Sequence, residues 1–165
     1  RYESIVNYAK ENYPDLYLIT DPIPDASDLD LVYNTTTNLI QTYGDELIGI
    51  MCTDDASALA VARAVEDAGK TDDISVHSRS LPSAVAEYVK EGKIAPYENF
   101  SPYDNGRVLL SMARWLCEGN DIRDLSEIPN CGEDGVASVK WTEGNVMYVD
   151  AMYTINADNV DDFDW

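Results

Sequence analysis

Asp54 and Asp55 stand where an apolar run, Leu47 to Met51, stops and a run of small and branched apolar residues begins. At such a strand-to-helix boundary one carboxylate can cap the helix by accepting from its free backbone N–H groups, and the positive end of the helix dipole stabilises both acids. Capping needs only one of them. A second carboxylate facing a crevice is a bidentate acceptor for vicinal hydroxyls, the arrangement that polyol and sugar recognition requires. Other chemistries lack parts. The single His, His77, and the cysteines Cys52, Cys117 and Cys131 fit no zinc spacing and leave a His-based triad incomplete. No G-x-G-x-x-G phosphate loop is present. No metal, cofactor or enzymatic activity is therefore expected. The acidic pair could in principle be the general acid and base of a small α/β hydrolase, but adjacent acids on one loop rarely face a substrate from opposite sides.

The composition narrows the partners. With 45% apolar residues the 165-residue chain is globular, and its length suits one lobe or a lobe with an appendage. Asp and Glu number 31 against 11 Lys and Arg, for a formal charge of −20. A nucleic-acid partner would need a basic stripe, and an anionic membrane a basic surface; neither is supplied. The acidity is also what an ordinary solvated surface looks like. No apolar run approaches the roughly 20 residues that span a bilayer, and no charged-then-apolar leader precedes Arg1, so the chain as given is expected to be soluble. Cys117 and Cys131 flank a polar loop and could pair in an oxidising compartment, leaving Cys52 as a buried thiol.

The elements that must position the acids follow from periodicity. Ile5, Val6 and Ala9 recur at helical spacing until Tyr13-Pro14. Leu16 to Ile19 reads as a short strand, and the two prolines of Asp21–Asp25 make a loop. Ser27 can cap a helix with Leu29, Val32, Thr36, Leu39, Ile40 and Tyr43 on one face, ended by Gly44. Leu47 to Met51 is nearly continuous, as a parallel strand covered on both faces would be. A helix over Ala56–Ala68 ends at Gly69, and then strand Ile74–His77, helix Pro82–Lys90 and extended Ile94–Asn99 follow. Such alternation predicts an α/β fold with a mostly parallel sheet flanked by helices on both faces. Tyr103–Gly119 is an amphipathic helix carrying a Val108, Met112, Trp115 and Leu116 stripe. Beyond it come a polar loop to Gly135, a hairpin of Val136–Trp141 and Val146–Val149, and an acidic, aromatic tail.

Three segments carry a family resemblance. D-D-A-S-A-L-A-V-A-R-A-V-E-D-A-G, from Asp54, resembles the N-D-x-x-A-L-x-x-x-x-A-L-x-x-A-G segment of type I periplasmic sugar-binding proteins. Tyr88 to Gly106 is similar to the helix, strand and crossover that follow in that family, and Glu143 to Trp165 resembles the end of its autoinducer-2 and rhamnose-binding branch. The resemblance runs over nearly the whole chain in order. It implies the C-terminal lobe of a periplasmic-binding-protein-like I fold plus a C-terminal extension. Residues 1–101 would form the ligand-binding lobe, and residues 102–165 a crossover helix, hairpin and tail that pack on or cross to an N-terminal lobe.

The implied function is the solute-binding component of a bacterial ABC importer, extracytoplasmic, taking a sugar or sugar-like signal between two lobes and delivering it to a membrane permease. Asp54 would then hydrogen-bond the ligand, with Asp55 and Ala56 in the same loop. Ser78 stands where ribose-type receptors carry an acid, and Phe100 precedes the crossover, where its ring could lie on a pyranose face or pack beneath the hinge. In whole receptors an N-terminal lobe of roughly a hundred residues comes first, and this sequence starts at the helix that opens the second lobe. Without that lobe the Tyr103–Gly119 stripe would be costly to expose, so it is expected to pack on another copy of the chain as a homodimer, to fold back on its own lobe, or to be bare only because the fragment that covers it has been removed. A sugar-responsive LacI-type regulator uses the same binding lobe and is the alternative; it would differ by a basic DNA-binding segment upstream.

Overall fold

The computed structural model describes residues 2–54, 56–144 and 146–165. Helix α1 (Tyr2–Asn12) stops just before Tyr13-Pro14, as the restriction that proline places on its predecessor requires. The strand expected at Leu16–Ile19 does not form. That stretch joins no ladder, and Leu16, Tyr17 and Leu18 are exposed; a run this short is stable as a strand only where a paired edge and a packed face hold it. Helix α2 (Leu29–Tyr43) is capped by Asp28 rather than Ser27. Asp28 Oδ1 accepts from the N–H groups of Asp30 and Leu31 at 3.1 Å each, while Ser27 sits outside the helix at φ 60°. Either residue type can cap; the one with extended backbone next to the first turn does so.

Strand β1 (Gly49–Met51) pairs in parallel with β2 (Ser75–His77), Ile50 opposite Val76. The connecting helix α3 (Ser57–Asp67) packs on α2. It closes with the Gly69 N–H on Glu66 O and the Lys70 N–H on Val65 O, the wrapped ending that a glycine at this place permits. Helix α4 (Pro82–Lys90) and a turn then bring Ala95 beside β2, its N–H on Val76 O at 2.9 Å. These elements, with Ile155 and Val160 from the tail, bury Val32, Val61, Val65, Val76, Val85 and Ile94 in one core.

The α/β class holds, but the parallel part is smaller than expected. Among the described residues β1–β2 is the parallel pair, and the other ladders are antiparallel. Strand β3 (Tyr97–Phe100) pairs with the late strand β7 (Met152–Ile155), and β4 (Glu127–Pro129), β5 (Val136–Trp141) and β6 (Met147–Asp150) form a second sheet. The expected β5–β6 hairpin is present. Strand β4, inside the stretch expected to be loop, carries its side-chain signal in one residue, Ile128 at 0% exposure. Helix α5 (Pro102–Cys117) lays Val108, Met112 and Trp115 on this second sheet, around Leu125, Ile128, Ala137 and Val139. The stripe thus folds back within the chain, and only Leu116 of the four is left exposed. No helix among the described residues is long and apolar enough to cross a membrane.

Candidate functional site

The turn between β1 and α3 places Asp54 at the carboxyl end of a parallel strand and the amino end of a helix, the rim where open α/β sheets bind ligands. Its Oδ1 accepts from the backbone N–H groups of Ala56 and Ser57, both at 2.8 Å. The capping role is therefore real. Its Oδ2 lies 2.6 Å from the Ser57 hydroxyl oxygen, which is also 2.5 Å from Oδ2 of Asp25. A serine hydroxyl has a single hydrogen, so it donates to one of these carboxylates at a time. Asp55, the second acid expected in this loop, lies outside the described residues.

Asp25 was not singled out by sequence and takes the place expected for a second acid. The loop with two prolines turns through Asp25, whose Oδ1 accepts from the Ser27 N–H at 3.0 Å. The Ser57 hydroxyl first, then the Ser27 N–H, hold its carboxyl below the ordinary value against a small opposing effect of burial. Asp25 is thus ionised at neutral pH. Its signal in sequence is weak, because an acid beside proline and serine is what any turn contains; only the fold brings it to Asp54, 29 residues later.

Both acids line a cavity of about 340 Å³, enough for a monosaccharide-sized guest by the usual range of ligand pockets. Thr36, Thr53 and Ser57 add hydroxyls, and Leu18, Ile19, Val32 and Ile50 supply apolar wall. Cys52, beneath the acids, is buried, and burial followed by the charges of Asp54 and Asp25 pushes its thiol up to about 12. It is a packed thiol and not a nucleophile. Cys117 is exposed while Cys131 is buried, and both are free, which overturns the suggested disulfide.

The other expected residues lie on neighbouring turns. Ala56 is exposed at the start of α3, next to Asp54. Ser78, just past β2, is buried, and its hydroxyl bonds to Ser80 Oγ at 2.7 Å and accepts from the Ser80 N–H at 2.8 Å. Phe100, at the end of β3, is half-buried with the Arg79 guanidinium 5.5 Å above its ring centre, a cation–π contact. Ser78 and Phe100 do not line the cavity of Asp54 and Asp25. They form a second stretch of rim, joined by Asn99, whose amide donates to the carbonyls of Arg79 and Ser80 at 2.8 and 3.1 Å.

A family model described as a periplasmic binding protein domain matches residues 1–121. The chain belongs to that family. No curated protein sequence matches it. Among solved structures it is similar to LsrB from Clostridium saccharobutylicum in complex with AI-2, with a TM-score of 0.73, 16% identity, and coverage of 96% of this chain and 52% of that one. It is also similar to an ABC transporter solute-binding protein from Clostridium phytofermentas with bound L-rhamnose (TM-score 0.72, 14% identity, 95% and 52% covered). AraP, an arabinose-binding protein from Geobacillus stearothermophilus, superposes at 0.70 with 19% identity over 98% of this chain and 50% of its own. The periplasmic binding protein fold is shown by these likenesses. The chain spans about half the length of each of these proteins.

Proposed function

We propose that this chain is a ligand-binding lobe of the solute-binding component of an ABC importer, and that it takes a sugar or sugar-like signal. The observation that carries the proposal is the meeting of Asp54 and Asp25 in the wall of a monosaccharide-sized cavity that runs along β1 to its carboxyl end. Vicinal hydroxyls need closely spaced acceptors, and two carboxyl groups on opposite sides of one serine hydroxyl supply them. Asp54, Asp55 and Ala56 are the proposed contacts of one rim, Ser78 and Phe100 those of the next. The finer proposal is a ligand of the autoinducer-2 or rhamnose type. It is supported by the tail resemblance and by neighbours whose bound molecules are AI-2 and L-rhamnose. An extracytoplasmic location and delivery to a membrane permease belong to the same proposal.

Titration of the purified chain with L-rhamnose, arabinose, D-allose and the furanosyl signal, followed by thermal shift and calorimetry, tests it. At least one should raise the melting temperature, since a ligand held only by the folded form stabilises it. Asp54→Asn keeps a capping acceptor and loses the charge, so it should abolish that rise while the unliganded melting temperature stays within a few degrees. Full binding by Asp54→Asn would remove Asp54 from the site, and silence from every sugar would sink the proposal.

A further inference from the structure

A buried network in the far half of the chain ties together the two rim segments that carry Ser78 and Phe100. Its centre is Asp104, in the first turn of α5 and 1% exposed. One carboxylate oxygen accepts from the Tyr153 hydroxyl and from the Gly132 N–H, each at 2.8 Å, and the other from Arg107 at 2.5 Å. Burying a carboxylate is costly unless its partners are fixed, so these donors and Asp104 hold one another in place. Tyr153 stands on β7 directly opposite Asn99 on β3, and opposite residues of an antiparallel pair share a face about 5 Å apart. Asn99 in turn holds the carbonyls of Arg79 and Ser80, and the Tyr97 hydroxyl adds a bond to Ser80 O at 2.8 Å.

The Tyr153 ring closes the circuit. It packs edge-on against Phe163 and Trp165 at centroid distances of 5.6 and 6.0 Å, and those two rings meet at 5.5 Å. The Trp165 carbonyl accepts from the Ser83 N–H at the start of α4, and Asp161 pairs with Lys90 at its end. The turn from β2 to α4 is therefore gripped from the tail, and the turn from β3 to α5 from Asp104. Tyr153 touches both grips.

We propose that Tyr153 is a positioning residue for the ligand rim, its hydroxyl fixing the β3–α5 turn through Asp104 and its ring fixing the β2–α4 turn through Phe163 and Trp165. This goes beyond the sugar assignment of the rim and rests on that assignment only for its functional meaning. Coupling between the turns is itself measurable without any sugar.

Amide hydrogen exchange on the unliganded chain tests it, comparing the native protein with Tyr153→Phe, which keeps the ring and the strand and removes one hydroxyl. Residues 100–107 should exchange about tenfold faster or more, the change expected when a buried charge loses one hydrogen bond. Residues 78–83 should follow less strongly, while α3 and the β4–β6 sheet keep their native rates. Trp165→Ala, which removes the tail ring that packs on Tyr153 and Phe163 and keeps the Tyr153 hydroxyl, should reverse the order, loosening 78–83 more than 100–107. Tyr148→Phe, on an exposed β6 position, should change neither. Uniform acceleration across all segments, or unchanged rates at both turns, overturns the proposal. Because Asp54→Asn is read by sugar titration and Tyr153→Phe by exchange, loss of one result leaves the other standing.

Discussion

At Asp54 the capping role and the proposed ligand-accepting role draw on different lone pairs. Oδ1 serves two backbone N–H groups, and among the described residues Oδ2 meets the Ser57 hydroxyl; a carboxylate has about four acceptor positions, so one is left for the proposed guest. Asp25 competes for the same hydroxyl. Asp25→Ala should weaken sugar binding by about tenfold or more, as loss of a charged hydrogen bond does, with calorimetry as the measurement. Unchanged affinity would reduce Asp25 to a turn residue. A second residue whose type matters is Gly132, at φ 76° with space for a Cβ only 3.1 Å from the Ala151 Cα. Its N–H serves Asp104, so Gly132→Ala strains the backbone and displaces a donor together. A loss of about 1 to 3 kcal/mol is expected in denaturant unfolding.

At the scale of elements, the chain builds its rim by repetition: strand, turn, helix. After β1 the turn holds Asp54, after β2 Ser78, and after β3 Phe100 with Ser101, whose hydroxyl oxygen caps α5 by accepting from Tyr103 N–H at 3.1 Å. Periodicity displayed most of these elements, because apolar residues at helical spacing and a near-continuous apolar strand leave direct traces. It failed at Leu16–Ile19 and at β4, where three or four residues hold too little pattern and pairing decides. It also missed the β3–β7 ladder, since contacts between residues some 50 positions apart leave no local trace. Ile128, fully buried on β4, gives a test of the second core. Ile128→Ala should cost about 2 to 5 kcal/mol, read as a shifted denaturant midpoint with binding at Asp54 preserved if the first core stands apart.

For the whole molecule, charge sets the response to pH. Burial raises the Asp104 carboxyl, but Gly132, Tyr153 and Arg107 together outweigh it and leave the group below its ordinary value of 3.8. Asp25 is lowered as well, chiefly by Ser57. A carboxyl with a depressed folded-state value stabilises the fold fully above its unfolded value and ceases to do so as pH falls through the folded value. Melting temperature should therefore hold from neutrality to about pH 5 and fall below pH 4. In Tyr153→Phe the fall should be shallower and complete at higher pH, because Asp104 loses a donor to its charged form and its folded-state value moves up towards the unfolded one. An identical acid profile for that variant would show that the hydroxyl does little for Asp104.

What the sequence determined by itself was local: the helices, the acid at the end of β1, and a family likeness read from three ordered segments. Each depends on neighbours within a few residues, so spacing alone reveals it. The tertiary structure decided which groups meet. Asp25 reaches Asp54, Tyr153 reaches Asp104, and the apolar stripe of α5 turns inward onto β4–β6. Those meetings come from closing long loops around two cores, a global balance of burial against chain entropy that no short window contains.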